Sequence, residues 1–228
     1  MRGAIFDLDG TLADTAEDLL SAANAALSPV GLPLLTVAEH RRIAGRGGRA
    51  MLRTSVALAG RDPDAPAETA LVDDLYPALI EAYALDLDRH TVVYDGVEVC
   101  LDRLSSDGWR LGVCTNKPEK LAVPLLDRLG LGHLFGAILG ADTLPVRKPD
   151  PEHLVETARR IGADPMRCVM VGDTQTDLSA ARNAGVPCVL TTFGFSEHLV
   201  TTLGADAVVS GFAELPRVMD RLCPADAA

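Results

Sequence analysis

Two pairs of acidic residues are spaced so that each pair can share one cation. Asp7 and Asp9 stand two residues apart near the N-terminus, and Asp173 and Asp177 stand four apart much later in the chain. Carboxylates grouped in this way can bind one metal ion and divide attack and proton transfer between them, and oxygen ligands of this kind suit Mg²⁺. A simpler interpretation stays open for the first pair, because Asp9-Gly10 is also an ordinary turn sequence.

Two further segments carry groups that can bind an anion. Thr115 and Asn116 offer a hydroxyl and a backbone N–H for phosphoryl oxygens, although they could instead cap a helix before Pro118. Lys148 stands in a proline-rich loop, where a basic residue is either solvated surface or a ligand for negative charge. The net charge of −11 would repel an anionic substrate, so a phosphate site in this chain requires a local cation of this kind.

All of these residues follow predicted β-strands. Short apolar runs alternate with helical patterns in the second part of the chain, which predicts a parallel sheet of the Rossmann-like α/β class. The carboxyl ends of parallel strands meet at one edge of a sheet, so the acidic, polar and basic segments should converge there. The strands are expected at residues 4–8, 111–114, 137–139, 168–171, 188–190 and 207–209.

The segment between the first two strands is mainly helical and contains no convincing strand. It begins with two sequences that resemble capping boxes, Thr15 with Asp18 and Thr36 with Glu39. We therefore expect an inserted α-helical cap domain at residues 15–87. The catalytic core is expected at residues 1–14 and 88–228.

Composition narrows the class of protein. Hydrophobic residues make up 48% of the chain and charged residues 23%, as in ordinary globular proteins. The negative net charge disfavours nucleic acid and anionic membranes as partners, and the N-terminus shows no signal peptide, so a cytoplasmic protein is expected. The five cysteines are expected to be buried free thiols, and the five scattered histidines show no zinc-site spacing.

Taken together, the four segments resemble the motifs of the haloacid dehalogenase superfamily along nearly the whole chain. Within it, the chain is most similar to phosphoglycolate phosphatases and related enzymes. The matching residues are Asp7-x-Asp9-Gly10-Thr11, Thr115-Asn116, Lys148-Pro149-Asp150-Pro151, Gly172-Asp173-x-x-x-Asp177 and Ala180-Ala-Arg-Asn-Ala-Gly-Val186.

The resemblance implies a Mg²⁺-dependent phosphatase that works through an aspartyl phosphate. Asp7 would be the nucleophile, Asp9 the general acid and base, and Lys148 the cation that neutralises developing charge. The remaining roles implied are metal binding by the Asp7 side chain, the Asp9 carbonyl and Asp173, support of the metal site by Asp177, and phosphoryl binding by Thr115 and Asn116.

The substrate is expected to be a small phosphorylated metabolite, with 2-phosphoglycolate favoured. Residues 45–49 form a glycine-rich basic loop in which Arg46 could bind a substrate carboxylate, or which could simply connect two helices. A sugar phosphomutase or a pyrophosphatase of the same superfamily would share the core motifs. Asp9 argues against a dehalogenase, because halide leaves without a proton, and the intact motifs argue against a non-catalytic binding protein. The sequence is compatible with a monomer or a homodimer.

Overall fold

The computed structural model describes residues 1–43, 47–195 and 200–225, and for residues 40–42 the main chain alone. The strands are β1 (Gly3–Phe6), β2 (Ala13–Asp14), β3 (Val92–Val93), β4 (Arg110–Cys114), β5 (Ala137–Leu139), β6 (Cys168–Gly172), β7 (Cys188–Thr191) and β8 (Ala207–Val209). The α-helices are α1 (Ala16–Leu27), α2 (Val37–Ile43), α3 (Gly48–Leu58), α4 (Pro66–Leu85), α5 (Val97–Ser106), α6 (Glu119–Arg128), α7 (Pro151–Arg160), α8 (Gln175–Ala184) and α9 (Leu215–Leu222).

Six of the strands form one parallel sheet in the order β5-β4-β1-β6-β7-β8. The central strand β1 pairs with β4 on one side and β6 on the other, and Phe6 lies opposite both Val113 and Val171. This register brings the carboxyl ends of the three strands level with one another. The predicted α/β class with a parallel sheet is confirmed.

The sheet is buried because its strands are almost wholly apolar. Ile5 and Met170 pack with Leu154 and Ala158 of α7 and Leu178 of α8, all in one hydrophobic cluster. Continuous apolar runs of this kind are typical of parallel strands covered on both faces. The five cysteines are all free and buried, as expected.

The first strand ends earlier than expected. The apolar run of residues 4–8 predicted a strand to position 8, but β1 ends at Phe6. Leu8 is buried in a turn instead, where its carbonyl accepts hydrogen bonds from Thr11 and Leu12. Hydrophobicity alone cannot separate a buried turn residue from a buried strand residue, which explains the error.

The chain divides into two compact units, Met1–Asp14 with Val93–Ala228 and Thr15–Val92. The sequence predicts the second passage between the units at residues 87 and 88, five residues before its position in the structure. The smaller unit contains α1 to α4, and the two-residue strands β2 and β3 form a separate small sheet. The role of the smaller unit as a cap stays a prediction.

One of the two predicted capping boxes forms. Thr36 N–H donates to Glu39 Oε2 at 2.7 Å, and Glu39 N–H donates to Thr36 Oγ1 at 3.3 Å. At the start of α1 the prediction was wrong, because the Thr15 side chain makes no capping hydrogen bond. The Asp18 carboxylate accepts instead from the His90 N–H at 3.0 Å.

Among the described residues, none of the helices combines the length and the apolar character that crossing a membrane requires.

Candidate active site

Asp7 lies directly after β1, at the carboxyl edge of the sheet. Its N–H still donates to the Val171 carbonyl of β6 at 2.9 Å, so the main chain here is fixed by the sheet. Its Oδ1 accepts from the Leu8 N–H at 2.7 Å. The chain then turns at Gly10, whose φ of +80° favours glycine. The result is a buried carboxylate held in one orientation.

Lys148 supplies a cation beside this carboxylate. Its Nζ lies 3.0 Å from Asp7 Oδ1 and 2.7 Å from Asp177 Oδ1. The Lys148 side chain is only 1% exposed, so this cation is not solvated surface. The local cation that the acidic chain requires is present, and a residue more than 140 positions from Asp7 in the sequence provides it.

Asp173 and Asp177 follow β6 and complete an acidic group with Asp7. One carboxylate oxygen from each residue lies within 4.8 Å of the others, and all three residues are buried. Asp173 accepts from Thr11 Oγ1 at 3.2 Å and from the Phe195 N–H at 2.7 Å. The sequence motifs at the ends of β1 and β6 therefore meet at one place.

Asp177 is held by the N-terminus of α8. Its Oδ2 accepts from the Thr174 N–H at 3.0 Å and the Thr174 hydroxyl at 2.6 Å, and together they form a capping box. The other oxygen, Oδ1, accepts from Lys148 Nζ. Asp177 therefore links the helix terminus to the cation.

Burial and mutual repulsion shift the titration of these carboxylates. Burial raises the pKa of Asp7 to about 7, against the opposing effect of the Lys148 charge. Burial, with the neighbouring carboxylates of Asp177 and Asp7, also raises the pKa of Asp173 well above its usual range. For Lys148, burial by itself would lower the pKa, but the carboxylates of Asp177 and Asp7 outweigh it and the pKa is raised.

The raised pKa values of Asp7, Asp173 and Lys148 show that positive charge is locally in short supply. Three buried carboxylates face one ammonium group, so two negative charges stay uncompensated when all three acids ionise. A bound divalent cation would balance them, and an all-oxygen set of carboxylates suits a hard cation such as Mg²⁺. The residues present therefore fit a divalent metal site.

Asp9 is paired with a residue that the sequence analysis did not single out. Lys117 Nζ lies 2.9 Å from Asp9 Oδ1, and the Lys117 side chain is 2% exposed. Lys117 directly follows the Thr115-Asn116 segment at the end of β4, so the strand-end pattern could have indicated it. The site therefore contains a second buried cation.

The structure places Thr115 and Asn116 at the same edge of the sheet. The Thr115 hydroxyl accepts from the Lys117 N–H at 3.2 Å, and Asn116 Nδ2 donates to the Lys148 carbonyl at 3.0 Å. The alternative role as a helix cap is wrong, because the N-cap of α6 is Pro118. Contact of both residues with phosphoryl oxygens stays a prediction. Arg46, the other predicted substrate-binding residue, lies outside the described residues.

The sequence of this chain matches a known protein family and several known proteins. Residues 4–191 match the family model of haloacid dehalogenase-like hydrolases. The chain is 42% identical to a phosphoglycolate phosphatase of Agrobacterium fabrum, over 99% of this chain and 95% of the other. It is also 42% identical to a phosphoglycolate phosphatase of Caulobacter vibrioides, over 96% and 92%.

A solved structure with the same fold also resembles this chain. The crystal structure of a predicted phosphoglycolate phosphatase from Haemophilus somnus superposes with a TM-score of 0.84 at 28% identity. The match covers 96% of this chain and 97% of the other.

Proposed function

This chain belongs to the haloacid dehalogenase-like hydrolases and is a phosphatase. We propose that it hydrolyses 2-phosphoglycolate to glycolate and phosphate. The buried carboxylate of Asp7 lies 3.0 Å from the ammonium group of Lys148, at the edge of the sheet where Asp173 and Asp177 also lie, and this arrangement supports phosphoryl transfer to Asp7. We propose this substrate because two relatives at 42% identity are named phosphoglycolate phosphatase.

Asp7 is proposed to attack phosphorus. Hydrogen bonds and ion pairing at Oδ1 from Leu8 and Lys148 keep the carboxylate from rotating, so Oδ2 keeps one direction. Attack forms a bond between a carboxylate oxygen and phosphorus while the bond to the substrate oxygen breaks. Water then attacks phosphorus, the Asp7–phosphoryl bond breaks, and inorganic phosphate leaves.

Asp9 is proposed to move the protons. It would donate a proton to the leaving alkoxide and later accept one from the attacking water, which leaves no net change in its protonation over a cycle. Its side chain is 19% exposed, more than the 12% of Asp7, so water can reach it. This difference in exposure supports the proposed division of roles between the two acids.

The cations offset the charge of the phosphoryl group. A magnesium ion held by the Asp7 side chain, the Asp9 carbonyl and Asp173 would neutralise substrate charge and polarise a phosphoryl oxygen. Lys148 is proposed to stabilise charge that develops between Asp7 and phosphorus. Thr115 and Asn116 are proposed to orient the other phosphoryl oxygens.

The first test replaces the nucleophile. Asp7→Asn keeps the volume of the side chain but removes its charge, so we expect kcat to fall by about 10⁴ or more with the fold intact. Phosphate release measures kcat, and circular dichroism checks folding. The wild type should lose activity in EDTA and regain it with Mg²⁺. Wild-type turnover by the Asn variant would contradict the mechanism.

The second test addresses the substrate. If Arg46 binds the carboxylate, Arg46→Ala should raise KM for 2-phosphoglycolate far more than KM for p-nitrophenyl phosphate, which has no carboxylate. Equal effects on both substrates would reject this role. Product analysis with sugar phosphates and pyrophosphate separates the proposal from the alternatives, because a phosphomutase forms an isomer and releases no phosphate.

A further inference from the structure

Lys148 is held by its main chain as well as by its side chain. Its N–H donates to Nδ1 of His153 at 3.3 Å, and its carbonyl accepts from Nδ2 of Asn116 at 3.0 Å. The carbonyl of the next residue, Pro149, accepts from Nδ2 of Asn183 on α8 at 3.0 Å. Three side chains from separate parts of the fold therefore fix the point from which the long lysine side chain starts.

His153 is unusual among these three because it is completely buried. It lies in the first turn of α7 with 0% exposure, and its Nε2 completes no hydrogen bond of normal geometry with any described residue, although the backbone groups of Gly140 and Leu139 interact with the ring. An unpaired buried polar atom is costly. A leucine would fill this volume without that cost, so packing alone does not account for a histidine here.

The protonation state of His153 follows from its contact. A backbone N–H can only donate, so Nδ1 must be the acceptor and the neutral ring carries its proton on Nε2. Burial and the charge of Lys148 together lower the pKa of His153 to about 4, against the opposing effect of the Gly140 and Leu139 backbone groups. The ring therefore stays neutral at physiological pH, with its Nδ1 lone pair directed at Lys148.

We propose that His153 is a positioning residue for phosphoryl transfer, holding the Lys148 main chain through Nδ1 so that the ammonium group stays between Asp7 and Asp177. Asn116 completes this clamp from the end of β4. The inference rests on the proposed function, since it assigns His153 a task only if Lys148 stabilises the transferring group. It also gives Asn116 a second task beside its predicted contact with phosphoryl oxygens.

A positioning residue should affect kcat more than KM. Lys148 acts on charge that develops during transfer, so a displaced ammonium group costs transition-state stabilisation while substrate binding is largely kept. A shift of 1 Å in a catalytic group can cost about 10²-fold in rate. We therefore expect His153→Leu to lower kcat by about 10- to 100-fold, with KM for 2-phosphoglycolate close to wild type.

Two polar variants keep the test decisive if the leucine variant does not fold. In His153→Asn, the amide oxygen lies near the position of Nδ1 and can accept from the Lys148 N–H. In His153→Gln, the acceptor is one methylene further out, near the position of Nε2. We expect the Asn variant to keep most of the wild-type kcat and the Gln variant to lose it.

The matched control is Thr157→Val in the same helix. Thr157 is also fully buried and donates to the His153 carbonyl at 2.7 Å, whereas the hydrogen bonds of Lys148 join it to His153 Nδ1, Asn116 and Asp177. This variant should lower Tm and leave kcat unchanged at a temperature where the protein is folded. A wild-type kcat in His153→Leu, or equal kcat values in the folded Asn and Gln variants, would overturn the proposal. Failure of the proposed function would look different, because the wild type itself would then release no phosphate.

Discussion

Two glycines lie so close to Asp173 that neither position has room for a side chain. Gly10 has a φ of +80°, and a Cβ there would come within 2.5 Å of Asp173 Oδ2. A Cβ at Gly194 would overlap the Asp173 Cβ and the Gly10 carbonyl. Two glycines from opposite ends of the chain therefore enclose this carboxylate and limit its rotamers. The close packing explains how a buried acid can be held ready for a metal ion.

Gly194→Ala tests this packing at the level of one methyl group. The added Cβ must displace Asp173 or the main chain, so we expect a loss of about 1–3 kcal/mol in stability, as for overpacked cores. Mg²⁺-dependent activity should fall with it, because Asp173 is a proposed metal ligand. Chemical unfolding and phosphate release measure the two effects.

Gly211→Ala is the matched control, since a Cβ there meets nothing within 4 Å and the backbone is extended, with φ of −171°. It should leave both stability and activity near wild type. If both alanine variants behaved alike, the tight enclosure of Asp173 would have no consequence.

Among the secondary-structure elements, helix termini and strand ends together position the side chains of the site. The N-terminus of α8 holds Asp177 through the Thr174 capping box, and Asp177 in turn holds Lys148. The first turn of α7 provides His153 for the same lysine. A cap that normally serves only helix stability therefore also contacts, through Asp177, the cation that we propose to be catalytic.

Thr174→Ala should separate these two contributions. Loss of the cap should cost about 0.5–2 kcal/mol of stability. Asp177 Oδ2 also loses its 2.6 Å hydrogen bond and keeps only the backbone N–H donors of Asp173 and Thr174, so we expect Asp177 to hold Lys148 less firmly and kcat to fall. Thr36→Ala removes the exposed capping box of α2 and serves as the control. A kcat unchanged in Thr174→Ala would show that the cap serves stability alone.

For the whole molecule, the buried acids couple stability to pH, and a bound metal ion would couple it to metal concentration as well. The pKa of Asp7 is about 7 in the metal-free fold, above its value of 3.8 in the unfolded chain. The native state therefore binds more protons than the unfolded state between these values, and stability falls as pH rises through this window. A metal ion bound to the ionised acid would replace the proton and would reverse this loss.

We therefore expect Mg²⁺ to raise Tm more at pH 8 than at pH 5.5. A ligand at 100 times its Kd stabilises the native state by about 2.7 kcal/mol, and protons compete for the site at the lower pH. Thermal unfolding with and without Mg²⁺ at the two pH values measures this. Asp7→Asn should show a much smaller difference. Equal shifts of the wild type at both pH values would contradict a metal site that includes Asp7.

The sequence alone determined the sheet and the convergence of the motifs. Continuous apolar runs predicted all six strands of the main sheet, because strands buried on both faces need apolar residues at every position. The acidic and basic motifs follow these strands directly, so their approach at one edge follows from parallel topology. This logic depends on local pattern and strand direction, which a linear sequence contains.

Tertiary packing determines which side chains pair within the site. Lys117 with Asp9, Asp177 with Lys148 and His153 with the Lys148 N–H each depend on strand register, helix placement and rotamers. Residues distant in sequence meet through the packing of the whole core, and no local pattern fixes a distance of 3 Å between them. The sequence thus determined at which edge of the sheet the acidic and basic residues converge, and packing determined which of their side chains are in contact there.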